Sequence, residues 1–238
     1  MAKDGKAALY EDLKRKILTM DLYPDEDLDE ARLSERYSLS RTPVREILRR
    51  LAGEGFVEIH ENRGARVVPM DHATLRSFFQ VAPMIYGAIG RLAVHNHTAS
   101  QLADLKATQA RFRKAASTKD ATAMVMENTR FHAIMGHMSR NKFLQASLDR
   151  LLIDHARIGH TVYRPHNEAM DRHFAASVAE HDLLIEAIER RDEDAVADLV
   201  FEHWEPSREK MEMYVAPQAM KAEKLSIQLD SDVAAKLK

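Results

Sequence analysis

Cysteine is missing altogether, glycine and proline number only 8 and 7 in 238 residues, and no apolar run reaches the ~18 residues of a membrane span. Each shortage excludes something. Without cysteine there are no disulfides and no thiolate ligands, so any metal must be held by histidine, carboxylate, amide or water, and a reducing cytoplasm is the expected compartment. With so little glycine and proline, the frequent turns of an all-β protein lack material, and helix should dominate. Met1 to Lys6 carry charges of both signs and do not read as a signal peptide, and no membrane span is expected. Net charge is only −2, which argues against binding nucleic acid by bulk electrostatics.

What is there is 45% hydrophobic and long enough for two domains of the usual ~100–200 residues. The informative stretch is Ser40 to Arg50. Ser40 suits an N-cap, Pro43 is tolerated in a first turn, and Gly53 or Gly55 can end the helix. Val44, Ile47, Leu48 and Leu51 fall at the i, i+3, i+4, i+7 spacing of a buried stripe, while Arg41, Arg45 and Arg49 step by four along another face. Residues 1–70 hold 13 lysines and arginines against 14 acids, yet Ser40–Arg50 alone has four arginines against one glutamate. A small, placed basic footprint fits a sequence-specific reader.

The surroundings sharpen this reading. A helix is expected from Ala8 to Met20, then an acidic loop (Asp21, Asp25, Glu26, Asp27, Asp29), and a short helix from Glu30 to Tyr37. After Gly55, Phe56–Ile59 and Ala65–Val68 alternate as two strands joined at His60–Gly64. Three helices and a hairpin make a winged helix-turn-helix, with Ser40–Arg50 entering the major groove and Arg63-Gly64 at the wing tip reaching the narrower one. Residues 1–70 form this DNA-binding domain. Residues 71–215 form an all-helical domain for dimerisation and effector binding: Asp71 to about His97, with Pro83 expected to kink it or start a new segment, then helices capped by Thr98 and Asp120, Asn141–Tyr163, a break at 164–167, and two last helices up to Met213. Residues 216–238 are a tail with a weak Val233, Ala234, Leu237 pattern. The fold class is mainly α.

The chain resembles the GntR family of bacterial transcription regulators, and within it the FadR-type branch with an all-helical C-terminal FCD domain. The N-terminal resemblance rests on Leu28-Asp29-Glu30-Ala31-Arg32-Leu33-Ser34-Glu35-Arg36-Tyr37, Leu39–Leu48, Leu51-Ala52-Gly53-Glu54-Gly55-Phe56-Val57 and Arg63-Gly64-Ala65-Arg66-Val67. The C-terminal one rests on Asn128-Thr129-Arg130-Phe131-His132, Arg140–Leu144, Glu180-His181-Asp182 and His203. It implies a homodimer on a near-palindromic double-stranded operator, with Arg41 and Arg45 reaching bases, Ser40 and Thr42 contacting phosphates or bases, and Arg63 and Gly64 in the minor groove. Arginine suits this role because its fork matches guanine O6 and N7. Where some members place a DNA-contacting arginine, this chain has Ala31.

Eight of the twelve histidines lie between His132 and His203. The resemblance puts metal ligands at Asn128, His132, His181 and His203, a set suited to Zn, Ni, Mn or Fe. Asn128 and His132 are four apart and share a helix face. Glu180 is expected to face away from them, and His137, His155, His160, His166 and His173 are read as ordinary structural histidines. The effector implied is a small organic acid beside the metal. Members that bind carboxylates often carry arginine and glutamate where this chain has Ala82 and Tyr86, so Tyr86, Arg91 and Arg130 are the candidate effector contacts. The function expected is a ligand-responsive repressor, with no catalytic residues. The alternatives are a metal-dependent enzyme with a DNA-binding appendage, and a constitutive dimeric DNA-binding protein without an effector.

Overall fold

The computed structural model describes residues 2–60, 64–163 and 168–215, with side chains over 5–60, 64–163 and 174–204. Arg63, the break at 164–167 and the tail lie outside the described residues. In chain order come α1 (Ala2–Leu18), β1 (Asp27–Leu28), α2 (Glu30–Arg36), α3 (Arg41–Glu54), β2 (Val57–His60), β3 (Gly64–Val67), α4 (His72–Asn96), α5 (Ala99–Ser117), α6 (Ala121–Met138), α7 (Lys142–Tyr163), α8 (Glu168–Glu189) and α9 (Glu193–Val215).

Short polar side chains set most helix starts. Asp29, Asp71, Thr98 and Asp120 each accept a backbone N–H in the first turn of α2, α4, α5 and α6, and Thr98 with Gln101 completes a capping box. Ser40 differs from expectation: it occupies the cap of α3 in extended geometry, but its side chain makes no capping bond. Gly55 closes α3 at φ +87, a left-handed position that suits glycine. Two further departures lie in the element bounds. Helix α1 begins at Ala2 rather than near Ala8. The acidic loop contains β1, two residues that pair with β3 through Asp27↔Arg66 and Leu28↔Ala65, giving an antiparallel sheet in the order β1-β3-β2. Pro83 neither ends nor restarts α4, which runs through it as one helix. Its buried side, including Phe78, Ala82, Tyr86, Ile89 and Ala93, packs into the bundle and outweighs the ~3 kcal/mol an interior proline costs. Among the described residues, only α4 is long and apolar enough to cross a membrane.

In the N-terminal domain Leu9, Leu13, Ile17, Val44, Leu48, Leu51 and Val67 are buried together, fixing α3 against α1 and the sheet. Each fully buried side chain of this size contributes roughly 1.5–3 kcal/mol. The helical domain packs around Leu105, Phe112, Met124, Phe131, Met138, Leu148, Leu184, Ile188 and Val196.

Helix α7 joins the two halves. Arg157 is wholly buried and donates from Nη2 to the Val68 carbonyl at 2.9 Å, while Nη1 lies 3.3 Å from Asp154. Burial pushes the Arg157 guanidinium below its ordinary pKa, partly offset by Asp154, and raises the Asp154 carboxyl. About two turns earlier on α7, Arg150 covers Gly55: a Cβ there would fall 0.9 Å from Arg150 Nη1. The cap of α3 and the segment after β3 therefore both rest on one helix.

Candidate functional site

Two sites emerge, one on each domain. On the first, α2, α3 and the hairpin enclose a concave face of about 640 Å³ whose lining includes Arg41, Arg45, Arg49, Glu30, His60 and Gly64. The buried stripe Val44, Ile47, Leu48 and Leu51 leaves Ser40, Arg41, Thr42, Arg45 and Arg49 exposed, so α3 presents its basic side outward. Gly64 has φ +82, and a Cβ there would approach the Leu28 carbonyl at 3.0 Å, so the wing turn favours glycine. Arg45 does not stand alone: its Nε donates to both carboxylate oxygens of Glu30, at 3.1 and 2.9 Å.

The second site lies inside the bundle. His132 from α6, His181 from α8 and His203 from α9 converge, with one donor nitrogen from each within 4.8 Å of the others. Their ring centroids form a triangle with all three sides 5.5 Å. Three imidazoles sharing one ion at Zn–N of about 2.0–2.1 Å place their centroids roughly 5 Å apart, so the spacing suits a metal. The orphaned atoms point the same way: Asn128 Oδ1, His132 Nε2 and His181 Nε2 are buried polar atoms without a hydrogen-bond partner. Such atoms are costly unless something binds them.

Outer contacts hold three of these groups in a ligating state. His203 Nδ1 donates to Glu180 Oε2 at 2.6 Å. His181 Nδ1 donates to Gln109 Oε1 at 3.0 Å, and Gln109 is itself anchored by donating to the Val178 carbonyl and to Asp182. Each Nδ1–H contact leaves the Nε2 lone pair free. Asn128 Nδ2 donates to His155 Nε2 at 3.1 Å, which turns Oδ1 away, and His155 Nδ1 then donates to the Tyr86 hydroxyl at 2.8 Å. Burial, reinforced by the neighbouring imidazoles, holds His132 and His181 well below the ordinary histidine pKa, and lowers His155 to about 3. Neutral imidazoles are the form that ligates a metal.

Several side chains sit differently from the sequence expectation. Glu180 does not face away, because its long side chain reaches across to His203 on the neighbouring helix. His155 is part of the centre; its position at i+7 from Leu148 and i+3 from Leu152, both buried, was the available signal. Of the three effector candidates, Tyr86 is buried, its ring 5.2 Å from His132 and 5.5 Å from His155. Arg91 and Arg130 are surface residues: Arg91 pairs with Asp194 at 2.7 Å, and Arg130 is exposed. Helical phase explains both, since Arg91 stands about 140° from Tyr86 and Arg130 about 200° from Asn128.

A winged helix-turn-helix joined to a helical bundle with an internal histidine centre defines a DNA-binding regulator with an effector domain. The chain belongs to the gntR family of bacterial regulatory proteins: residues 6–67 match that family's model, and residues 78–206 match the FCD domain. It is thus a transcription regulator, of a family whose members bind DNA operators and typically form dimers. Among its relatives, the HTH-type transcriptional repressor RspR of Escherichia coli is 25% identical over 205 residues, covering 82% of this chain and 83% of that one. The galactonate operon transcriptional repressor of the same organism is 25% identical over 191 residues, covering 70% and 78%. Of solved structures, E. coli McbR/YncC superposes with a TM-score of 0.76 at 20% identity, covering 89% of this chain and 99% of the other.

Proposed function

We propose that the protein is a homodimeric, metal-containing repressor, released from a near-palindromic operator by a small anionic effector. Arg41 and Arg45 read base edges, Ser40, Thr42, Arg63 and Gly64 hold the backbone and minor groove, and a divalent ion (Zn, Ni, Mn or Fe) sits on Asn128, His132, His181 and His203. The observation that carries the metal is the set of three orphaned buried polar atoms at the histidine triangle and the neighbouring Asn128. The ion supplies a Lewis-acidic anchor for the effector.

The charge of that effector follows from the donor set. All four ligands are neutral, and Glu180 is one ring removed, bonded to the far nitrogen of His203. A dication there keeps its charge in a buried setting, which favours an anionic partner such as an organic acid. Tyr86, beside His132 and His155, is the effector contact the geometry supports. A sensing rather than catalytic role agrees with the relatives, which are named as regulators, two of them as repressors. Helix α7 offers the coupling element, because it carries His155 at the centre and, two residues on, Arg157 holding the Val68 carbonyl. Effector binding changes DNA affinity to the extent that it favours one seating of α7 over another. Val81 and Met84 on α4 and Phe201 on α9 leave large apolar side chains exposed, which supports assembly of two copies.

The test uses the full chain loaded with Zn²⁺ or Ni²⁺, an operator enriched from random duplexes, and a panel of mono-, di- and hydroxycarboxylic acids. At least one acid should raise Tm and weaken operator binding by about 5–150-fold. An operator affinity indifferent to both metal and every acid would instead support the constitutive alternative.

A further inference from the structure

A DNA-binding face gains from positive charge, yet two acids, Asp29 and Glu30, line the concave face beside α3. Asp29 has a structural task there, as its side chain accepts the Arg32 N–H at 2.8 Å and caps α2. Glu30, in the first turn of α2, caps no backbone amide. Its carboxylate crosses from α2 to α3 and takes the Arg45 Nε on both oxygens. The pair is asymmetric, with the Glu30 side chain 22% exposed and that of Arg45 54% exposed.

That asymmetry matters for what Arg45 can present. A guanidinium held only through Nε keeps its two terminal nitrogens for another partner, and those form the fork that matches guanine O6 and N7. Holding the side chain before DNA arrives removes rotamer freedom that binding would otherwise have to freeze. The carboxylate also acts against the wrong complex. If Arg45 swings to a phosphate, Glu30 is left unpaired and close to the polyanion, and only the specific register keeps both charges matched.

We propose that Glu30 is a positioning and specificity-determining residue for DNA reading: it aims Arg45 at its base pair and penalises binding that uses phosphates alone. The inference rests on Arg45 reading a base.

The experiment measures affinity of the full chain for a duplex enriched by the wild-type protein and for a scrambled duplex of equal length, over a range of salt. Glu30→Gln should lower the enriched-to-scrambled ratio about tenfold, raise scrambled affinity and steepen the salt dependence. Glu30→Asp, which keeps the charge but loses reach, should lower the ratio while leaving scrambled affinity at the wild-type level. In an Arg45→Ala background, Glu30→Gln should raise scrambled affinity and leave the already reduced ratio unchanged. An unaltered ratio in Glu30→Gln, or equal losses on both duplexes, overturns the proposal in favour of a merely structural ion pair. An unaltered ratio in Arg45→Ala alone overturns it by removing the base contact it depends on.

Discussion

Alanine in place of Arg41 or Arg45 lowers operator affinity by about 5–150-fold per half-site, the effect of one bidentate base contact worth ~1–3 kcal/mol. In the proposed dimer each substitution counts twice, so the combined loss reaches roughly 30-fold at the low end. Both side chains are exposed on α3, and the buried stripe Val44, Ile47, Leu48 and Leu51 is untouched, so Tm should hold. Scrambled DNA, bound through phosphates, should lose far less than the operator. Parallel titrations of enriched and scrambled duplexes make the comparison. Equal losses on both would reduce these arginines to phosphate contacts, and no loss would remove α3 from the interface.

The second large effect is acid instability of the metal-free chain. His155 is held at about 3 against an ordinary 6.5, chiefly by burial and then by His203. His132 and His181 are lowered for the same reason, with neighbouring imidazoles adding to burial. Below pH 6.5 the unfolded chain takes up protons that the folded chain refuses, so stability is full above that pH and is lost as the pH falls toward 3. Over the unit from pH 6.5 to 5.5 each such histidine, half protonated in the unfolded chain at the start and almost fully at the end, contributes about 1 kcal/mol, and three together about 3. Between pH 6.5 and 5.5 that corresponds to a fall in Tm of roughly 10 °C for a chain of this size. Calorimetry on chelator-stripped protein reads it directly, and His155→Gln should flatten the slope by about a third. A Tm that stays level from pH 7 to 5.5 would mean the imidazoles are hydrated and take up protons in the folded chain.

How far the sequence foretold this depended on whether the cause was local. Asp71, Thr98 and Asp120 mark helix starts because a short side chain and an amide three residues on suffice, and all three make that bond. The winged domain was legible for the same reason: its stripe, its capping glycine and its alternating strands lie within short windows. Strand β1 was not, because two residues carry no periodicity and become a strand only by lying against β3. The single segment expected from Asp71 to about His97 is found, and Pro83 starts no new one because its cost is local and the packing that overrides it is not. At the histidine centre, family spacing pointed to His132, His181 and His203, and the structure brings their nitrogens together. The outer contacts escaped notice since they cross between helices: Glu180 to His203, Gln109 to His181 and His155 to Asn128 join residues 23, 72 and 27 apart. Arg91 and Arg130 erred in the opposite sense, as helical phase alone places them away from the core stripes of α4 and α6.

Effector sensing by this protein depends on the histidine centre being a metal site rather than a cluster of satisfied core residues. Isothermal titration of chelator-stripped full-length protein with Zn²⁺ tests this directly. One ion per chain with a dissociation constant below about 1 μM, lost in His181→Gln, is the predicted result. No uptake by the wild-type protein, or uptake undiminished in His181→Gln, would contradict it.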